Sequence, residues 1–411
     1  MLRSMYSAIA GLKAHQVKLD VTGNNIANVN TVGFKSSQAT FEDTLSQVMR
    51  NGSAPTDTAG GTNPAQVGLG VKVAGITTNF AQGTQQTTGR ATDFMISGDG
   101  FFVTKTGNEQ LYTRAGSFDY DASGKIVTPD GAVLQGWMAG PDGVDTNGAI
   151  GDLKVPFGQN MPPTATTKGA IVGNLSTSAV VAVTGPPAVP ATQLQTQVTS
   201  YDSLGTAHQI TLKFTKTDVN TWEVQASENG TDIGSAADLT FDPSTGLPDS
   251  GADFEIGVSG DNWPGTIALD LSGMTEYGGK SALAPLDIDG NAMGTLQSIA
   301  LSGDGTIMGV YSNNLREPIG KLAMASFANP SGLAKAGNTS YRVGDNSGQP
   351  AIGEANAGGR GSLVAGALEM SNVDLAEEFT GLIVAQRGFQ ANSRVITSSD
   401  EVLQDLVNLK R

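Results

Sequence analysis

The segment DYDASGKIVTPD sets Asp119, Asp121, Ser123, Gly124 and Asp130 at the spacing by which an EF-hand loop gathers oxygen ligands around calcium. That loop needs a helix on each side, whereas Phe118, Ile126 and Val127 alternate as strand residues do, so a hairpin turn and no metal site is the expectation. GMTEYGGKS, Gly273 to Ser281, resembles a phosphate-binding loop, but its glycine interval is one residue too long and no apolar parallel strand precedes it. The two histidines, His15 and His208, have no Ser, Asp or Glu constellation legible in the sequence and read as surface or assembly residues. Cysteine is absent, which removes thiolate nucleophiles, disulfides and zinc-thiolate sites. The carboxylates are scattered over turns and nominate no acid/base pair. No catalytic residue, cofactor or metal is therefore expected. A hydrolase would have to lose turnover on changing single carboxylates such as Asp119 or Asp130.

The elements that carry these residues are more informative than the residues. The chain has 411 residues, 54 of them Gly, with 6% aromatic and 15% charged residues, the composition of a turn-rich β protein. A net charge of −15 would repel phosphate backbones, which argues against nucleic-acid binding. No run of eighteen apolar residues is present, so no membrane-spanning helix is expected. The opening MLRSMYSAIAGLKAHQ is interrupted by Ser4, Ser7 and Lys13 and keeps helical periodicity, unlike a cleaved signal.

Both chain ends carry steps of three and four. At the start, Leu2, Ile9, Gln16 and Gly23 form one row and Met5, Leu12, Leu19 and Ile26 the other, running into the amide cluster Asn24, Asn25, Asn28 and Asn30. At the end, Leu375, Leu382, Phe389, Ile396 and Leu403 alternate with Phe379, Gln386, Ser393, Asp400 and Val407. Asp374 followed by Glu377 is a good helix start. Helices of about 39 Å and about 54 Å follow from these lengths. Extra apolar residues beside the seam, among them Tyr6, Val17, Ile383, Val395 and Val402, predict partners beyond each other and hence self-assembly.

Between the helices, 36–72 reads as a short helix that turns into a Gly-, Ser-, Thr- and Pro-rich linker. Short alternating strands follow. The tetrapeptide Ser-Gly-Asp-Gly recurs at Ser97 to Gly100 and at Ser302 to Gly305, which suggests two similar hairpin turns in one domain. Prolines from Pro156 to Pro163 mark an exit into a separate β domain, in which Ile210, Leu212 and Phe214, Trp222 and Val224, and Ile267, Leu269 and Leu271 each share a face. The expected fold is mainly β with long terminal α-helices that pair as a coiled coil, an inner β domain built from two chain segments and an inserted outer β domain. The boundaries are 1–35 and 366–411 for a helical assembly domain, 36–72 for the linker, 73–157 and 285–365 for the inner domain, and 158–284 for the insert.

GNNIANVNTVGFK (Gly23 to Lys35) and SNVDLAEEFTGLIVAQRGFQANSRVITSSDEVLQDLVNLKR (Ser371 to Arg411) resemble the terminal signatures of the bacterial flagellar rod and hook family, and SGDGFFVT, YTRAGSFDYDASGKIVTPDG and GSLVAGALEMSNVDL are similar to its inner segments. The large insert from about Pro156 to Lys280 places the resemblance with the hook branch rather than with the distal rod. It implies a structural homopolymer, a flexible tubular joint passing torque from rod to filament. Subunits would be exported through the flagellar type III apparatus without a cleaved signal and would reach an extracellular hook. The distal rod protein, the hook cap protein and the hook-filament junction protein would be partners, with no nucleic acid and no membrane insertion. The assembly residues implied are Leu2, Met5, Ile9, Leu12, Leu19, Asn24, Asn25, Ile26 and Asn28 on the first helix, and Leu375, Phe379, Leu382, Phe389, Ile396, Leu403 and Val407 on the last. The amides either satisfy backbone groups of neighbouring subunits or merely end a polar helix. A cell-surface adhesin, binding ligand through the insert, is the reading from a different class.

Overall fold

The computed structural model describes residues 2–55, 60–140, 143–183, 188–258, 262–263 and 265–408, without the side chains of residues 2, 406 and 407. Helix α1 spans Leu2–Ala27 and helix α2 spans Leu375–Asn408; strands occupy most of what lies between. Asp374 caps α2, its Oδ1 accepting from the N–H groups of Ala376 (2.8 Å) and Glu377 (3.3 Å), with Glu377 and Glu378 on the positive end of the helix dipole.

The chain folds as two compact units. One comprises 1–156, 299–308 and 317–411; the other comprises 157–298 and 309–316. The second unit thus reaches beyond the sequence boundary at residue 284, because the strand Gly294–Leu301 begins inside it.

In the first unit, Phe101–Thr106 pairs antiparallel with Glu109–Thr113, Val133–Gly140 and Met324–Ser326. Phe101, Val103, Tyr112, Trp137, Phe327 and Tyr341 pack on one another as its core, with Tyr112 edge-on to Phe327 at 4.9 Å. The second unit stacks a sheet centred on Lys168–Ser176 against a meander running from Gln193–Tyr201 to Pro248–Ser250. Every residue assigned from sequence to its apolar faces, from Ile210 through Leu271, is buried there. The core also encloses ions: Lys216 meets the Glu276 carboxylate, to which Trp222 Nε1 donates at 3.2 Å.

Two local readings differ from the sequence and a third agrees with it. The described residues of the 36–72 segment hold no helix; Ser37–Asp43 pairs antiparallel with Val71–Thr78, and Ser46–Arg50 with Ala65–Gly68. Phe41, Leu45, Val48 and Met49 have helical spacing, but the long-range ladder overrides that local period, and Leu45 stands 81% exposed. The two Ser-Gly-Asp-Gly turns also differ. The second closes a hairpin with Ser302 N–H on Thr306 O at 2.9 Å, while the first joins strands that pair elsewhere, its Gly98 and Gly100 both at positive φ. Both are held by one segment, since Gly361 N–H donates to Asp99 O and Leu363 N–H to Gly303 O. The Asp121 loop is a hairpin turn: Asp121 Oδ1 accepts from the N–H groups of Ser123 and Lys125 at 2.8 Å, between the paired strands Asp119–Tyr120 and Ile126–Val127.

Candidate functional site: the terminal helix pair and its base

The helices pack antiparallel in step. Gly11 faces Asn392, Gly388 faces His15, and Asn25 reaches Glu378. The row of α1 turned inward contains Ala8, Gly11, His15, Lys18, Thr22 and Asn25, again spaced by threes and fours; Ala8, Gly11, Thr22 and Asn25 are buried. A Cβ on Gly388 would lie 2.5 Å from the His15 ring, and one on Gly11 2.8 Å from Asn392, so small residues let these helices approach closely. The His15 ring also meets Phe41 edge-on at 5.8 Å. Burial first, and then Lys18, hold its imidazole below the usual histidine range, and Nδ1 is buried without a hydrogen-bond partner.

The apolar rows read from the sequence flank this seam. Met5, Ile9, Leu12, Leu19 and Ile26 are half-buried on α1, as are Leu382, Phe389, Ile396 and Leu403 on α2. Leu375 and Phe379 are exposed, the latter by 51%, together with Tyr6, Ile383, Val384, Val395 and Val402. The side chains of Leu2 and Val407 lie outside the described residues. The sequence placed the contact on the largest apolar residues; the chain instead covers its small and polar row and leaves much of the apolar surface open.

The amides divide. Asn25 is buried and behaves as a strand partner, donating from Nδ2 to Ser37 O (2.8 Å) while Oδ1 accepts from Ser37 N–H (3.0 Å); Nδ2 also reaches Glu378 Oε1 at 2.6 Å. Asn28 Nδ2 donates to Asn24 O at 2.9 Å, and its Oδ1 accepts from Thr31 Oγ1. Asn25 and Asn28 therefore satisfy groups of their own chain within the subunit. Asn24 and Asn30 are exposed.

Where both helices join the β framework lies a feature that sequence reasoning missed. Lys35 and Glu369 are fully buried and bond at 2.6 Å, and Arg114 Nη1 reaches the other carboxylate oxygen at 3.4 Å. Gly83 N–H donates to Glu369 Oε1, Lys35 Nζ to Ala81 O, and Arg114 Nη1 to Gly98 O. Burial is the main reason that the Lys35 ammonium lies below its ordinary pKa, against the opposing pull of Glu369. Gly33, at φ +68, passes so close that a Cβ would lie 2.5 Å from the Ala115 nitrogen, and its N–H donates to Glu369 O. Asn372 completes the knot, accepting from Ser36 N–H and donating to the carbonyls of Asn79 and Ala81. The signal was present only as lone charges, Lys35 and Glu369, in otherwise apolar or amide-rich segments.

His208, for which the sequence shows no constellation, packs at a tilt against Trp263 with ring centroids 4.7 Å apart and is bonded through Nδ1 to Glu228 at 2.6 Å, with Asp202 at 3.7 Å. These carboxylates come from a turn and a neighbouring strand, which periodicity does not reveal.

Helices paired at the two chain termini around a β framework occur together with matches to four family models. They are Flagella basal body rod protein over residues 5–35, Flagellar hook protein FlgE/F/G D1 domain over 95–200, Flagellar basal body protein FlaE D2 domain over 174–291, and Flagellar basal body rod FlgEFG protein C-terminal over 364–409. The flagellar hook protein FlgE of Borreliella burgdorferi is 40% identical, with all of both chains covered. The chain belongs to the flagellar hook protein family. Escherichia coli FlgE is 35% identical across 98% of this chain and 99% of its own, and the Bacillus subtilis basal-body rod protein FlgG is 33% identical across all of both. The crystal structure of Helicobacter pylori FlgE2 matches with a TM-score of 0.54 at 15% identity, covering 69% of this chain and all of that one, which supports the fold. As a member of this family the chain is a structural subunit of the flagellar hook, in a homopolymeric assembly. The rod alternative is not favoured.

Proposed function

We propose that the chain polymerises through its terminal helices into the tubular wall of the hook, a flexible joint that carries torque from rod to filament. The carrying observation is the apolar surface that both helices leave uncovered while their small, polar row is spent on each other. In a helical polymer a heterologous contact repeats without closing, so a face complementary to another part of the next copy is required. The rows containing Leu2, Met5, Ile9, Leu12, Leu19 and Ile26, and Leu375, Phe379, Leu382, Phe389, Ile396, Leu403 and Val407, supply it, with the exposed Asn24 at its edge. The helical assembly domain of 1–35 and 366–411 lines the wall, and the framework of 73–157 and 285–365 carries the insert of 158–284. Subunits travel unfolded through the flagellar export apparatus and add beneath the hook cap protein, outside the cell. The distal rod protein and the hook-filament junction protein bound the polymer at its two ends.

The test is Phe379→Ser with Ile383→Ser, both exposed in the subunit. The expected result is an unchanged thermal midpoint with tubes lost under polymerising salt. Tubes formed as readily as by the unaltered chain would overturn the assignment.

A further inference from the structure

The buried charges at the base of the helices are poorly explained by stability. Desolvating Lys35, Arg114 and Glu369 opposes folding, and a buried ionic group replaced by apolar residues of similar volume commonly leaves a protein as stable or more so. What such a group supplies is direction. The Glu369 carboxylate accepts from Lys35 Nζ and Gly83 N–H on one oxygen and from Arg114 on the other, while Lys35 and Arg114 are themselves tied to the carbonyls of Ala81 and Gly98. Apolar packing at this place would tolerate sliding; this set of donors and acceptors fits one arrangement.

We infer that Lys35, Arg114 and Glu369 are positioning residues for assembly, fixing the direction in which α1 and α2 leave the β framework so that their open rows meet the next copy in register. Lys35 lies eight residues beyond the end of α1, and Glu369 six residues before the start of α2. The two amides that extend the knot act on the same joints, Asn25 tying α1 to Ser37 and Glu378, and Asn372 tying Ser36 to the carbonyls of Asn79 and Ala81. Leverage makes the direction matter. At 1.5 Å per residue α1 is about 39 Å long, so a tilt of about 10° at its base moves its far end by about 7 Å, more than one helical turn. A shift of that size would carry an apolar row past its partner even in a perfectly folded subunit.

This inference rests on the proposal that the terminal helices assemble, and its test separates the two. The full chain carrying Lys35→Met, Arg114→Met and Glu369→Leu is compared with the unaltered chain by thermal melting and by electron microscopy of tubes. A second variant, Lys35→Met, keeps Glu369 paired with Arg114 and with the Gly83 N–H and is measured beside it. The expected result is an equal or higher midpoint for the triple variant, in which no buried charge is left alone, with at least tenfold fewer tubes or tubes of mixed diameter and repeat. Tubes of unchanged repeat from either folded variant would overturn the inference, as would failure of both to fold, which would make the knot a stability element. Normal tubes from the Phe379→Ser, Ile383→Ser chain would instead strike the assembly proposal itself.

Discussion

Replacing Gly388 by alanine tests the helix register with one methyl group. In an exposed helix interior, Gly→Ala stabilises by roughly 0.5–1 kcal/mol because alanine loses less backbone entropy. Gly381, about two turns of α2 nearer the cap, shows what that gain should look like, since a Cβ there meets nothing within 4 Å. At Gly388 the same methyl would lie 2.5 Å from the His15 ring, and rigid interiors forced to accept an extra carbon lose about 1–3 kcal/mol. The difference between the two variants should therefore be about 1–3 kcal/mol, a factor of roughly 5 to 150 in the opening equilibrium of the helix pair. Amide hydrogen exchange across α2 in the monomer reads this opening directly. Gly388→Ala should open more readily than Gly381→Ala, and adding His15→Ala should recover much of the loss. If the two single variants are protected equally, the antiparallel register that places His15 on Gly388 is wrong.

Three further outcomes follow from the same contacts. Because the His15 pKa is lowered on folding, the unfolded chain binds more protons, so the helix pair should lose stability as pH falls through the ordinary histidine value of about 6.5 and level off below the folded value; exchange of α1 amides as a function of pH, with His15→Gln as the flat control, checks this. Lys216→Met leaves the Glu276 carboxylate buried with only Trp222 as donor, and chemical denaturation should show the second unit weakened by about 3–5 kcal/mol while exchange in α1 and α2 is unchanged. Thr339, a β-branched residue at φ 56 in the two-residue turn after Ala334–Gly337, should accept glycine with a gain of about 1 kcal/mol, seen as a rise in the melting temperature of the first unit.

Local sequence already determined a good deal here. Periodicity placed both helices, because threes and fours persist over many turns, and Asp374 with Glu377 marked the start of α2 within a residue. Alternation marked the strands of the second unit, because a face buried against another sheet must repeat every two residues. Only the tertiary structure decided which side of each helix meets the other. Burial pattern alone favours the largest apolar row, but the shortest approach between two helices needs glycines, and Gly11 and Gly388 lie on different rows. It also decided that 36–72 enters two ladders, since Ser37–Asp43 finds its partner in Val71–Thr78, as far off as Ser37 is from Thr78, and no local signal announces the match. Lys35 and Glu369 are separated by 334 positions, and nothing in either neighbourhood says that they will be buried against each other. A charge's partner is a property of the folded chain, because it depends on distance in space, whereas a helix's face is a property of the sequence, because it depends on the fixed angle between successive residues.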